Sequence, residues 1–230
     1  MKKYLILLAI TLAAACTKKE IWPSVSVTGF VKLINENGLE LLDKNDVIVT
    51  IKGSSSYVKT DKNGKYLLTG LKSETSYSFD ISKDGYGTAS TVDYKFIGDQ
   101  KPGLINTITL YQEPTIELQS ASLQYLNNVI MITCQISPTN RFRTMAFAND
   151  SADLSDTHYD YNSSDYFYSG INYTSFQVSI SLENNKYKTG NIIYVAIYFY
   201  NYYDSGYWDS ETNKTRLSSA NKEGVFKITL

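Results

Sequence analysis

The sequence predicts an all-β protein made of two β-sandwich domains. Apolar and polar residues alternate over short segments that are separated by turn residues, as strands with one buried face require. No segment shows a convincing helical period. The 20 tyrosines, against 3 methionines and 4 prolines, favour the pleated strands of a secreted protein. With 230 residues, the chain is long enough for one large or two small domains.

The N-terminus predicts a secretory signal peptide over residues 1–16. Lys2 and Lys3 give a positive start, and residues 4–15 are an apolar run that is too short to span a bilayer. The run ends Leu-Ala-Ala-Ala-Cys, which resembles the looser lipobox of Bacteroidota lipoproteins, although Ala13 stands where the strict pattern has Leu. The resemblance implies lipidation of Cys16. The alternative is cleavage after an Ala-x-Ala site, with Cys16 as a bystander.

We favour lipidation because polar residues follow Cys16 directly. Cys16 would then be the first residue of the mature protein, and residues 17–23 would be a short tether to the outer membrane. Lys18, Lys19 and Glu20 partly resemble the charged signal that exports some lipoproteins. The cell surface is therefore favoured over the periplasmic side.

The first domain is predicted over residues 24–112. Asn63 and Gly64 stand between two alternating segments, which predicts a hairpin because glycine accepts a positive φ. Asp61 can hold this turn by accepting hydrogen bonds from nearby backbone N–H groups. The other strands are expected at residues 25–31, 47–51, 57–60, 76–81, 86–96 and 104–110, and in the fourth of them Tyr77, Phe79 and Ile81 share one face.

This first domain resembles the carboxypeptidase regulatory-like domain, which has a transthyretin-like fold. The resemblance lies in Thr-Asp-Lys-Asn-Gly-Lys-Tyr at residues 60–66, Gly-Leu at residues 70–71 and Lys-Asp-Gly-Tyr at residues 83–86. It implies a β-sandwich and an envelope setting.

The second domain is predicted over residues 115–230, after a boundary at Pro114, which cannot donate a ladder hydrogen bond. Residues 138–141 are expected to form a turn. Residues 191–200 are the strongest strand, with Ile193 and Val195 on one face and Tyr194 and Ala196 on the other. Further strands are expected at residues 116–123, 129–136, 142–147, 174–182 and 224–230.

Residues 193–201, Ile-Tyr-Val-Ala-Ile-Tyr-Phe-Tyr-Asn, resemble the penultimate strand of fibronectin type III-like domains of the immunoglobulin type. The order of the two domains behind a lipobox is similar to that of small lipoproteins from glycan-uptake loci. This resemblance implies an accessory role beside outer-membrane transport proteins.

The sequence offers little for catalysis. His158 is the only histidine, so the His and Glu ligands of a zinc carboxypeptidase cannot be assembled. The sequence also lacks a Gly-x-Ser-x-Gly elbow, a phosphate-binding Gly-Lys-Ser/Thr loop and a dinucleotide fingerprint. We therefore predict no enzyme, no cofactor and no metal. A carboxylate pair for glycoside hydrolysis remains the alternative, because its separation is set by the fold.

Two further functions can be weighed from charge and composition. Basic and acidic side chains nearly balance, at 22 and 23, and no basic stripe is present, so nucleic-acid binding is not expected. Aspartates cluster in one loop and could bind Ca²⁺, but their spacing does not match an EF-hand, so a solvated acidic loop is favoured. These aspartates are Asp150, Asp153, Asp156, Asp160 and Asp165.

Two small motifs remain. Asp-Ser-Ala at residues 150–152 resembles the O-glycosylation motif of Bacteroidota secreted proteins, which implies Ser151 as an acceptor. Cys134 shares strand parity with Ile132 and Ile136, so we predict a buried small hydrophobe rather than a reactive thiol. With Cys16 lipidated, no internal disulfide is possible.

The predicted ligand surface is aromatic. Residues 160–173 and 201–209 are polar yet dense in rings, and in a fibronectin-like topology they would be loops that converge with the turn at 138–141. Flat rings beside polar groups suit a sugar. The alternative is that the rings pack on each other and cover the loops. The candidate residues are Tyr166, Tyr168, Tyr173, Tyr202, Tyr203, Tyr207 and Trp208.

We therefore predict a non-catalytic, lipid-anchored protein that binds glycan or assists its uptake. The alternative is a structural, adhesin-like subunit that assembles with other envelope proteins by strand addition at a sheet edge, where residues 225–230 could exchange.

Overall fold

The computed structural model describes residues 24–91, 93–96, 103–163, 166–182, 186–209 and 214–230. The predicted signal peptide, Cys16 and the tether lie outside the described residues. Across the described residues the protein is all-β and contains no helix, as the sequence predicts. It follows that no helix in these ranges is long and apolar enough to cross a bilayer.

The strands described in the N-terminal half, residues 24–111, are β1 (Ser24–Ile34), β2 (Ile48–Ile51), β3 (Tyr57–Lys59), β4 (Lys65–Lys72), β5 (Ser76–Tyr77), β6 (Phe79–Ser82), β7 (Ala89–Ser90), β8 (Tyr94–Lys95), β9 (Gly103–Leu104) and β10 (Ile108–Tyr111). The strands described in the C-terminal half, residues 115–230, are β11 (Leu118–Leu126), β12 (Val129–Asn149), β13 (Tyr161–Asn162), β14 (Tyr166–Ser181), β15 (Ile192–Tyr200), β16 (Tyr207–Asp209), β17 (Lys214–Arg216) and β18 (Asn221–Thr229).

The N-terminal half has a core between two sheets. One sheet has the order β10-β1-β4, with β9 also paired to β1, and the other has the order β3-β2-β6-β7. In β1, buried Val31 and Leu33 flank exposed Lys32, so alternate side chains enter the core. Phe79 and Ile81 of β6 reach the same core from the other sheet, on the face that the sequence predicts.

The turn at Asn63 and Gly64 forms, but it does not make a hairpin. Gly64 has a φ of 80°, and Oδ1 of Asp61 accepts the N–H groups of Asn63 at 2.8 Å and Lys65 at 3.0 Å. However, β3 pairs with β2 and β4 pairs with β1, so the chain crosses between sheets here. The hairpin prediction is wrong because the residues of a turn determine only that the chain reverses, and they do not determine which strands pair. The N–H of Val31 donates to the Gly64 carbonyl at 2.8 Å and ties the turn to β1.

A single bent strand, β12, organises the C-terminal half. Residues 129–135 pair with β11 and β14. Residues 143–149 pair with β15, and on the other side residues 141–144 pair with β14 and residues 147–148 with β13. The register shifts between Gln135 and Arg141, around Pro138, which has no N–H for the ladder. The predicted turn at residues 138–141 is therefore wrong, because the strand bends through an irregularity instead of ending.

The prediction of a loop at residues 160–173 is also wrong from residue 166 onward. Residues 166–181 form the continuous strand β14. Half-buried Tyr166 and Tyr168 alternate with exposed Phe167 and Ser169, so this polar, ring-dense run still satisfies the period of a strand.

Strand β15 is buried on both faces. Ile193, Val195, Ile197 and Phe199 enter the main core of the C-terminal half, together with Cys134. The opposite face, with Ala196, Tyr198 and Tyr200, is covered by a second cluster that includes Leu154. The predicted faces of β15 are therefore confirmed.

Cys134 is fully buried, as the sequence predicts. Its burial raises the pKa of the thiol to about 12, which keeps it protonated at neutral pH.

Gly64 provides the first test of this fold. A Cβ at Gly64 would lie 2.1 Å from the carbonyl oxygen of Val31, whereas Gly53, with a φ of 77°, has open space around it. We expect Gly53→Ala to lower the free energy of unfolding by about 1–2 kcal/mol, because alanine is strained at this positive φ. Gly64→Ala should lower the free energy of unfolding by about 1–3 kcal/mol more than Gly53→Ala, because the backbone of β1 must move to make room for the Cβ. Urea unfolding of both variants measures the difference, and equal losses would contradict this packing.

Candidate functional site

A cleft of about 630 Å³ lies where the two halves meet. Four segments line it: the loop after β1, the connection between the halves, the bend of β12 and the end of β15. Its lining residues are Glu36, Asn37, Pro114, Thr115, Ile116, Pro138, Thr139, Arg141, Tyr200, Asn201 and Tyr202.

The segment that follows β15 is held by the buried carboxylate of Asp204, which is 3% exposed. Its Oδ2 accepts hydrogen bonds from the N–H of Ser219 at 2.8 Å, the hydroxyl of Ser219 at 2.8 Å and the hydroxyl of Ser218 at 3.1 Å. Its Oδ1 accepts the N–H of Gly206 at 2.8 Å. One carboxylate therefore joins residues 201–206 to residues 217–220.

Asn201 connects this segment to the N-terminal half. Its side-chain amide donates to the carbonyl oxygens of Gln112 at 2.9 Å and Asn35 at 3.3 Å. Its Oδ1 accepts the N–H of Tyr203, and its own N–H donates to the Ser219 hydroxyl at 2.9 Å. The side chain of Asn201 is thus committed to the junction although it lines the cleft.

Close packing reinforces the junction. The N–H of Thr88 donates to the Ser218 carbonyl at 3.1 Å. A Cβ on Gly87 would lie 1.7 Å from that same carbonyl oxygen, so only glycine fits there. Gly38, with a φ of 79°, lies directly against the ring of Tyr203. These contacts hold the walls of the cleft in one arrangement.

An aromatic–arginine strip borders the cleft, made of Arg141, Arg143, Phe167, Tyr202 and Tyr203. Arg143 lies over the Phe167 ring at 4.5 Å, and Phe167 meets Tyr202 edge-on at 5.8 Å between centroids. Tyr202 meets Tyr203 at 5.2 Å, and Arg141 lies 5.9 Å from the Tyr203 centroid and donates to its hydroxyl. Phe167 is 55% exposed, so the strip offers both ring surface and charge to solvent.

Three of the predicted ligand residues pack against the core instead of lining the cleft. Tyr168 stacks on Phe142 with centroids 4.5 Å apart, and Tyr173 meets both of these rings edge-on. Burial raises the pKa of Tyr168. Tyr166 also packs on the core and lines a separate depression of about 300 Å³ with Met131. These contacts match the packing alternative of the sequence analysis.

Three of the other predicted residues lie at the junction. Tyr202 lines the cleft, and Tyr203 covers Gly38. Tyr207 packs against the core of the N-terminal half. Trp208 belongs to β16, and its side chain lies outside the described residues.

Sequence reasoning missed Glu36, Asn37 and Thr115, which complete the cleft, and it placed Arg141 beside the aromatic segments without naming it as a ligand residue. The oxygens of Glu36 accept the N–H and the hydroxyl of Thr115, the latter at 3.1 Å. The polar composition of the loop at residues 35–45 was a visible signal, but its approach to the bend of β12 depends on the tertiary fold.

The described carboxylates of the acidic loop bind separate partners instead of forming one cluster. Asp153 accepts the Ser151 hydroxyl, which lowers its pKa, and its neighbour His158 lies 3.8 Å away. Asp156 pairs with Arg216 at 3.3 Å, and Asp160 pairs with Lys186. Asp165 lies outside the described residues. Among the residues described, no three metal-ligating groups come close enough to hold an ion.

No protein-family model matches the chain, and no curated protein matches it. Among solved structures, the chain is similar to a candidate carbohydrate-binding protein from Bacteroides uniformis, with 18% identity, a TM-score of 0.39 and coverage of 90% of this chain and 100% of that one. A DUF3823 family protein from Bacteroides ovatus gives 12% identity, a TM-score of 0.37 and coverage of 90% and 99%. The major pilin SpaD from Corynebacterium diphtheriae gives 13% identity, a TM-score of 0.29 and coverage of 90% and 66%.

Asp204 gives the second prediction. Asp204→Ala removes the acceptor of several buried donors, so we expect a loss of about 2–4 kcal/mol in the free energy of unfolding. Chemical denaturation measures this loss. Asp153→Ala is the control, because Asp153 is exposed and its substitution should change the free energy of unfolding by less than about 1 kcal/mol. A similar stability of the two variants would show that the carboxylate does not hold the junction.

Proposed function

We propose that the chain is a non-catalytic, lipid-anchored protein of the cell envelope and that its cleft binds glycan. The observation that carries the proposal is the lining of the cleft, which includes aromatic Tyr202 together with Arg141, Asn37 and Thr139. A sugar offers apolar C–H groups to a ring and hydroxyls to polar groups, so this combination suits it. A cleft of about 630 Å³ is also within the usual range for ligand sites.

The cleft supports binding over hydrolysis. Glycoside hydrolysis ordinarily needs two carboxyl groups on either side of the scissile bond. Among the residues that line the described cleft, Glu36 is the single carboxylate, and its oxygens accept hydrogen bonds from Thr115. A bound saccharide would therefore meet one hydrogen-bond acceptor of this kind rather than an acid and a base.

The anchor is Cys16, on the strength of the lipobox-like run before it. Lipid attachment would hold the cleft at the outer membrane, with the cell surface favoured, beside transport proteins that take up glycan. Ser151, in the exposed loop after β12, is the proposed acceptor of O-glycosylation.

A structural role is the second candidate, and the edge position of β18 favours it. β18 ends the order β11-β12-β15-β18, and its Val225 is 39% exposed. Strand addition there would link copies or partners. Exchange of the last strand is disfavoured, because β18 is paired with β15 from Ile192 to Phe199.

The third prediction concerns Tyr202. We expect the full-length protein in detergent to bind part of a broad polysaccharide panel. Tyr202→Ala should weaken that binding by about fivefold to tenfold, because loss of the contact between ring and sugar costs about 1 kcal/mol of binding free energy. Calorimetry gives the affinity and thermal unfolding gives the stability. Tyr57→Ala is the control, because Tyr57 is 59% exposed on β3 and does not line the cleft.

Saturable binding that both variants retain would place the site elsewhere. Absence of binding across the panel, together with self-association in sedimentation runs, would favour the structural candidate instead.

The fourth prediction concerns the anchor. In a bacterium that processes lipoproteins, the protein should incorporate labelled fatty acid and sediment with membranes, because several acyl chains bind a bilayer firmly. Cys16→Ser should abolish labelling and release the protein, whereas Cys134→Ala should remain labelled. Labelling that survives Cys16→Ser would contradict lipidation at this residue.

A further inference from the structure

We propose that the glycan bound in the cleft is anionic and that Arg141 binds its carboxylate or sulfate group. The inference rests on the proposed function and names the substrate class of the same site.

The position of Arg141 follows from the bend of β12. Register shifts on both sides of Thr139 interrupt the ladder, and Arg141 resumes it opposite Ser169. Arg141 is exposed and lines the cleft. Its hydrogen-bond partner is the hydroxyl of Tyr203, whose ring also lies 5.9 Å from the guanidinium carbon. Tyr203 orients the guanidinium but does not neutralise it.

No carboxylate forms an ion pair with Arg141 among the described residues. Ion pairs between described residues engage other cations, and none of them includes Arg141. The paired cations are Lys32, Lys44, Lys59, Lys95, Lys186 and Arg216. A guanidinium offers five N–H donors in a planar fork that matches carboxylate and sulfate geometry. An anion from outside the protein would use the donors that Tyr203 leaves open.

The acid of the same cleft, Glu36, is held by a partner other than Arg141. Glu36 accepts the N–H and the hydroxyl of Thr115, so Thr115 rather than Arg141 engages its oxygens. Its remaining acceptor capacity suits a donating hydroxyl. A sugar acid satisfies the whole arrangement: its anionic group binds Arg141, its hydroxyls donate to Glu36, and its apolar face lies on Tyr202.

The neighbouring Arg143 is engaged by contacts within the protein. It lies over the Phe167 ring and donates to the Asp204 carbonyl at 2.6 Å. It shares the strand face of Arg141, two residues away. The attraction for an anion is therefore assigned to Arg141, and it should depend on ionic strength.

The test is calorimetry on the full-length protein in detergent, with two matched pairs of ligands. Oligogalacturonate is compared with its methyl ester, and chondroitin sulfate oligosaccharide with its desulfated form. We expect at least one acidic member to bind about tenfold or more tightly than its modified partner. That preference should fall as salt rises.

Variants assign the preference to Arg141. Arg141→Gln should lose about tenfold in affinity for the preferred acidic ligand while keeping the melting temperature. Arg141→Lys should recover part of it, because the charge returns without the planar fork. Lys59→Gln is the matched control, since it removes one exposed positive charge outside the cleft and should leave binding unchanged.

The outcomes separate the two proposals. A preference for oligogalacturonate identifies the carboxylate, and a preference for chondroitin sulfate identifies the sulfate; both support the inference. Binding of neutral ligands that depends on Tyr202, without an acidic preference or an effect of Arg141→Gln, overturns the inference and leaves the proposed function standing. Absence of binding to every ligand, neutral or acidic, overturns both.

Discussion

The arrangement of this molecule depends on one buried carboxylate. Asp204 lies just beyond the end of β15, where the ladder stops, and its two oxygens accept hydrogen bonds from two segments of the chain. These are the same segments that contact the N-terminal half, through Asn201 on Gln112 and Ser218 on Thr88. Because a buried carboxylate is costly unless its acceptors are used, the network specifies one geometry for the whole junction.

The cleft is a consequence of that junction. Glu36 and Asn37 come from the N-terminal half, whereas Arg141 and Tyr202 come from the C-terminal half. Neither half carries the site alone. Ligand sites often lie at such junctions, since two convex bodies in contact leave a groove between them. Arg141 then adds an exposed guanidinium to this groove, and Glu36 adds a carboxylate.

The candidate site was partly predictable. Tyr202 was found because a run of rings among polar residues is visible in the sequence. Tyr166 and Tyr168 share that composition, yet they pack against the core. Alternation shows which residues share a face but not whether a neighbouring element covers that face. Arg141 could not be chosen from the sequence, because its importance comes from the bend of β12 and from Tyr203, which lies 62 positions away.

The sequence by itself determined the all-β class, the parity of the strands, including the two faces of β15, and the turn at Gly64. These features depend on periodicity and φ preferences that act over a few residues. Tertiary structure decided the partners of β3 and β4, the continuity of β12 through Pro138, and the cleft. Those outcomes rest on contacts between distant residues, such as the 166 positions that separate Asn35 from Asn201. Local preference cannot select among such contacts, because many pairings satisfy the same alternation and only burial and hydrogen bonding in the folded chain distinguish them.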